Sequence, residues 1–249
     1  MDAAIAGQPS PMQLIGLLGG MSWESSAEYY RLANERVRER LGGLHSARCL
    51  LYSVDFAAIE RMQRDGSWGE AAAALVQAGR ALQDAGADFL VLCTNTMHIV
   101  ADRLEAELEI PVLHLVDTTA AAVLDGGVTR VGLLGTGFTM SQPFYAERLA
   151  SHGLDVVVPV EPDRDEVHRI IYGELCVGVV RPESRAVYQQ VIRRLVDAGA
   201  EGVIYGCTEI ELLVGPEDSP VPVFPTTRLH VEAAVDRALG SGSRRRALP

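Results

Sequence analysis

Short apolar runs alternate along this chain with longer stretches whose apolar residues recur at helical spacing. The first series predicts strands over 14–20 (LIGLLGG), 47–54, 88–93 and 111–116, and helices over 25–41, 68–86 and 97–108. The second predicts strands over 130–136 (RVGLLGT), 154–159, 201–207 and 222–226, and helices over 118–127, 142–153, 165–175 and 182–199. Gly86 is placed to stop the Ala-rich helix, and Asp55 to cap a helix after the second strand. Strand and helix in alternation imply βαβ units, an α/β fold and mostly parallel sheets.

The two series look like copies. LIGLLGG matches RVGLLGT, and GADFLVLCTNTMHI (86–99) matches GAEGVIYGCTEIEL (199–212). Gly19 precedes Cys93 by 74 residues and Gly135 precedes Cys207 by 72. An internal repeat of this kind predicts two pseudo-symmetric, doubly wound lobes. The expected division is 1–116 for the first lobe, with 222–240 returning to it, 117–221 for the second, and a polar tail over 241–249. Ligands of such sheets bind beyond the carboxyl ends of the strands. Both lobes are therefore expected to open onto one interlobe cleft.

Composition narrows the function. With 22 Lys+Arg against 33 Asp+Glu, the formal charge is −11, which speaks against a nucleic-acid partner. The one basic run is Arg244–Arg246 in the tail. No apolar run approaches a membrane span, and the N-terminal MDAAIAGQPSPMQ lacks a signal peptide's basic and apolar regions. The four cysteines show no CxxC or zinc spacing, so reduced thiols in a cytoplasmic protein are expected. Neither GLLGGM nor GLLGTG completes a dinucleotide fingerprint.

Cys93 and Cys207 each end a strand, just before a helix, and each is followed by a threonine. Helix N-termini there would hold an anion and favour the thiolate. Two opposed thiols suit removal of a proton from one face of a carbon and its return to the other. Thr94, Asn95, Thr96 and Thr208 would donate to a carboxylate as it gains enolate character. Glu209 is expected either to orient Cys207, to bind an α-ammonium, or merely to favour its helix N-terminus. Cys49 and Cys176 read as inert packing. His98 reads as a capping or packing residue, His168 as a candidate for the cleft wall, and Trp23 and Trp68 as packing.

LLGGMSWESSAEYYRLANERV, LGGLHSARCLLYSVDF, VLCTNTMH and GCTEIELLV resemble the aspartate/glutamate racemase family, above all its broad-specificity amino-acid branch. The resemblance runs from about residue 14 to about 239. It implies racemisation of an amino acid by two cysteines, with no pyridoxal phosphate, metal or nucleotide, in what is often a homodimer. It assigns Cys93 and Cys207 as the two bases. It places Met21, Ser22, Asn95, Thr96, Thr208 and Glu209 in the cleft. One departure is that every Lys+Arg residue is an arginine, so a side-chain carboxylate has no lysine to meet. Arg61 and Gln63 are the candidates for that contact. Aspartate or glutamate is the first expectation for substrate, with a neutral polar amino acid such as homoserine beside it. The alternatives are a maleate-isomerase-like or other single-cysteine enzyme, a malonate-type decarboxylase, and a non-catalytic small-acid binding protein.

Overall fold

The computed structural model describes residues 12–240; the N-terminal stretch 1–11 and the tail with Arg244–Arg246 lie outside the described residues. The first lobe carries β1 (Ile15–Gly19), α1 (Trp23–Leu41), β2 (Cys49–Ser53), α2 (Phe56–Arg64), α3 (Trp68–Asp84), β3 (Phe89–Leu92), α4 (Ala101–Glu107) and β4 (Val112–Leu113). After α5 (Leu115–Asp125) come β5 (Arg130–Gly135), α6 (Gly137–Ser141), α7 (Pro143–Ser151), β6 (Asp155–Val157), α8 (Asp163–Gly173) and α9 (Pro182–Asp197). The chain ends with β7 (Gly202–Gly206), α10 (Ile210–Leu213), β8 (Val223–Pro225) and α11 (Thr226–Ala238).

Two parallel four-stranded sheets result, with orders β2-β1-β3-β4 and β6-β5-β7-β8. The same order in both lobes is the expected pseudo-symmetric α/β arrangement. The central strands β1, β3 and β7 are buried along their whole length, as continuous apolar strands covered on both faces must be. Edge strand β2 leaves Leu51 and Tyr52 exposed. The segment expected to return to the first lobe divides: β8 joins the second sheet, while α11 packs through Val231, Ala234, Val235 and Ala238 into the core beneath β1 and β3.

Local chemistry sets the ends of these elements. Ser22 caps α1 by accepting the Ser25 N–H, and Asp55 caps α2 by accepting the Ala57 N–H. Gly20 sits at φ +93°, where a Cβ would lie 2.3 Å from the Val54 carbonyl oxygen, so only glycine makes the turn from β1 towards α1. The helix expected over 97–108 begins as a 3-10 turn over 96–100. The strand expected over 111–116 stops at Leu113 because the His114 imidazole caps α5, accepting the Val116 N–H at 3.1 Å.

His114 belongs to a buried cluster at the seam between the lobes. His98 lies 4.6 Å from His114 and 5.9 Å from His230, centroid to centroid. His230 accepts from the Tyr29 hydroxyl at 2.9 Å and donates to the Leu113 carbonyl at 2.8 Å. Burial, and secondarily the Arg148 cation, holds His114 down to about 3. Burial holds His230 down to about 4, the Leu113 hydrogen bond only partly opposing it. Unfolding returns both to an ordinary imidazole value near 6.5, so the unfolded chain binds more protons between those values. Stability is thus fully present above about pH 6.5 and is lost as pH falls towards 3. His230→Gln is expected to flatten the fall of Tm between pH 6.5 and 4, removing roughly 3 kcal/mol of pH dependence. Thermal unfolding across that range checks it; an unchanged slope would refute it.

Candidate active site

Where the strands of both sheets end, a half-open cavity of about 50 Å³ lies between the lobes. Its wall takes Met21, Ser22 and Ser25 from the turn into α1, and Thr94, Asn95 and Thr96 from the end of β3. The second lobe adds Gly206, Cys207, Thr208 and Glu209 from the end of β7. Phe56, Gln63, Thr136, Ile171, Tyr172 and Cys176 complete it.

Polar side chains stitch the two lobes together across this wall. The Cys207 thiol donates to Glu209 Oε2 at 2.8 Å, and Ser22 donates to Glu209 Oε1 at 3.1 Å. Ser25 and Thr227 each lie 2.9 Å from the Thr208 hydroxyl. Asn95 donates to Thr226 at 3.0 Å and accepts from the Tyr145 hydroxyl at 3.2 Å. Thr96 shares its hydroxyl hydrogen bonds with Thr136 and Thr139. Gln63 is buried against Met97, its amide nitrogen 2.9 Å from the sulfur.

The structure corrects the placement of Cys93. Its side chain is 0 % exposed within the apolar layer of Tyr29, Val91 and Val231, and it is absent from the cavity wall. Its thiol points back at the Val91 carbonyl, 3.7 Å away. The reason is strand parity. Phe89, Val91 and Cys93 face α1 and α11, whereas Leu90 and Leu92 face α3, and a shift of one residue exchanges the faces. The sheet registers give the true repeat. Ile15 pairs with Phe89 and Val131 with Gly202. Overlaying LIGLLGG on RVGLLGT thus equates Phe89 with Gly202, Cys93 with Gly206 and Thr94 with Cys207. Matching the two Cys-Thr pairs had slipped the repeat by one position.

Electrostatics correct a second expectation. Burial, then the Glu209 carboxylate, pushes the Cys207 thiol well above its ordinary value. The elements that follow the two strand ends are a five-residue 3-10 turn and the four-residue α10. Such short elements align few peptide dipoles. The resting group is a thiol, hydrogen-bonded to the Glu209 carboxylate.

The remaining expectations divide. Met21, Ser22, Gln63, Thr94, Asn95, Thr96, Thr208 and Glu209 all lie on the wall. Arg61 does not: it is exposed on α2. His168 stands one layer back, accepting the Gly137 N–H at 3.0 Å and packing against Tyr172. Cys176, read as inert, lines the cavity, its thiol pushed up to about 12 by burial and by Glu209. Thr136 was readable as the counterpart of Gly20 in the repeated glycine turn. Ile171 and Tyr172 come from α8, and no local signal in that helix pointed to a site. Among the described residues, no cluster of three His, Cys, Asp or Glu is able to hold a metal ion, and no helix is long and apolar enough to cross a membrane.

This arrangement of two parallel α/β lobes is shared with solved structures of Asp/Glu racemase homologues. The family model for Asp/Glu/Hydantoin racemases matches residues 18–234, and the chain belongs to that family. A Yersinia pestis protein provisionally placed among Asp/Glu racemases is 51% identical, with a TM-score of 0.88 over 92% of this chain and 100% of that one. An aspartate racemase homologue from Pyrococcus horikoshii is 33% identical, with a TM-score of 0.82 over 91% of this chain and 99% of the other. The broad specificity amino-acid racemase RacX of Bacillus subtilis is 21% identical over 91% of this chain and 98% of its own length.

Native protein is expected to leave Cys93 unmodified by iodoacetamide until it unfolds, as peptide mapping by mass spectrometry will read. Cys93→Ala should cost roughly 1 kcal/mol of stability and leave the chemistry of the cavity intact. Rapid native labelling of Cys93 would return it to the cavity.

Proposed function

We propose that this protein racemises amino acids by proton transfer between Cys207 on one face of the α-carbon and Thr94 on the other. The observation that carries this reading is the equivalence of Thr94 and Cys207 at the ends of β3 and β7, both on the wall of one interlobe cavity. An α-ammonium group entering beside Glu209 supplies positive charge near the thiol, and Glu209 takes the thiol proton. The Cys207 thiolate then removes the α-proton and the Thr94 hydroxyl returns one to the opposite face; the alkoxide this leaves on Thr94 regains a proton from water as Glu209 gives up the one it took. In the other direction Thr94 accepts and Cys207 donates. Backbone N–H groups and the hydroxyls of Thr96, Thr136 and Thr208 stabilise the carboxylate as it becomes enolate-like. The reaction needs no added cofactor.

Glu209 is the single carboxylate on the wall, and no arginine stands there. A substrate side-chain carboxylate would meet repulsion with no cation to offset it. Neutral polar amino acids are therefore favoured over aspartate and glutamate.

A second reading follows from the single thiol at the paired positions. A site with one effective acid/base group exchanges protons on one face only. Deuterium wash-in from D₂O, measured with chiral product analysis over an amino-acid panel, separates the two. Racemisation is expected in the wild type. Cys207→Ala is expected to lower both exchange and inversion by about 10²–10⁴-fold. Thr94→Val is expected to lower inversion far more than exchange. Wild-type exchange with strict retention would establish the one-face reading instead.

A further inference from the structure

His98 is 3 % exposed and lies one turn beyond the end of β3. Its Nε2 accepts the Leu115 N–H at 3.1 Å. That N–H is one of the orphan donors in the first turn of α5. With Nε2 accepting, the ring proton sits on Nδ1, which donates to the Thr94 carbonyl at 2.7 Å. On its other side, the Thr94 N–H donates to the Leu92 carbonyl at 2.8 Å. Both peptide groups flanking the Thr94 Cα are therefore tied. Its φ and ψ are fixed, and with them the direction in which Cβ and the hydroxyl leave the backbone. The ring cannot drift, because His114 and His230 pack against it. The same surroundings keep it uncharged: burial, then those two neighbouring imidazoles, holds His98 well below the ordinary imidazole range. A charged ring would have no acceptor lone pair left for Leu115.

We infer that His98 is a positioning residue, aiming the Thr94 hydroxyl at the substrate α-carbon by clamping the Thr94 carbonyl to the start of α5. The inference rests on the racemase reading above. It also gives the seam a role in the reaction, since α5 is the segment through which the chain passes from one lobe to the other.

Three variants test it: His98→Leu, which removes both hydrogen bonds; His98→Asn, whose amide nitrogen reaches where Nδ1 stood; and His98→Gln, whose amide reaches where Nε2 stood. Inversion and solvent exchange are measured separately on the wild type's best substrate. Exchange on the Cys207 face does not use Thr94. For His98→Leu, inversion is expected to fall at least tenfold through kcat, with KM little changed and exchange within about threefold of wild type. His98→Asn is expected to restore most of the inversion, and His98→Gln is not. Inversion and exchange falling together in a folded His98→Leu protein would overturn the inference, as would normal inversion. Should His98→Leu fail to fold, the Asn and Gln pair decides: Gln inverting as well as Asn would overturn it, and Asn alone inverting would support it. A wild type that exchanges no α-proton would sink the racemase reading and this inference with it. Wild-type exchange with the wrong pattern among the variants would sink this inference alone.

Discussion

The alternation of side chains along two buried parallel strands decides what this protein can do. In β3, odd-numbered residues from Phe89 to Cys93 enter the layer under α1 and α11, and Leu90 and Leu92 enter the layer under α3. In β7, Val203 and Tyr205 pack towards α8 and α9, and Cys207 continues that face to the strand end. The residue that emerges at the cavity is therefore Thr94 in one lobe and Cys207 in the other. A sulfur one position earlier is sealed in apolar packing, where its thiol finds only the Val91 carbonyl. Sheet pleat, more than the identity of the cysteines, sets which side chains line the cavity.

Around those strand ends the polar groups form one connected wall rather than independent contacts. Glu209 holds the Cys207 thiol and the Ser22 hydroxyl at once. Thr208 lies between Ser25 of the first lobe and Thr227 of the returning helix α11. The wall is thus held by two charge-assisted hydrogen bonds to the Glu209 carboxylate and by neutral hydroxyl–hydroxyl bonds at Thr208. Glu209 is the lone carboxylate of the wall, and it lies against a thiol that burial keeps protonated.

Behind the first-lobe motif, three neutral imidazoles occupy the seam. Two of them satisfy N–H groups at the start of α5, His98 for Leu115 and His114 for Val116. The third, His230, joins α11 to the Leu113 carbonyl and to Tyr29. Ring packing in this cluster fastens the segment that leaves the first lobe to the one that returns to it. The Thr94 turn is attached to the same framework through His98.

Much of this was legible in the chain. Continuous apolar runs such as IGLLG read as buried parallel strands, and the glycine turns and the doubled GA-strand pattern read as two equivalent lobes. Of the eight wall residues named from Met21 to Glu209, Thr94, Asn95, Thr96 and Thr208 followed from their places beside strand ends, where ligands of α/β sheets gather; Met21 and Ser22 came from the family resemblance, and Gln63 from the search for a side-chain contact. Helix α11 escaped, since TTRLHVEAAVDRA has a weak apolar stripe that becomes a face only against α1 and α5. Arg61 was misplaced because its helix turns it to solvent, and Cys176 because its place on the cavity wall depends on how α8 packs ahead of it. The sequence by itself determined the elements, their repeat and the hydroxyl-rich turns, which depend on neighbours a few residues apart. Tertiary structure alone decided which of two adjacent residues, Cys93 or Thr94, faces the cavity. A one-residue choice of face is set by the pairing of β1 with β3, and that pairing joins segments some seventy residues apart.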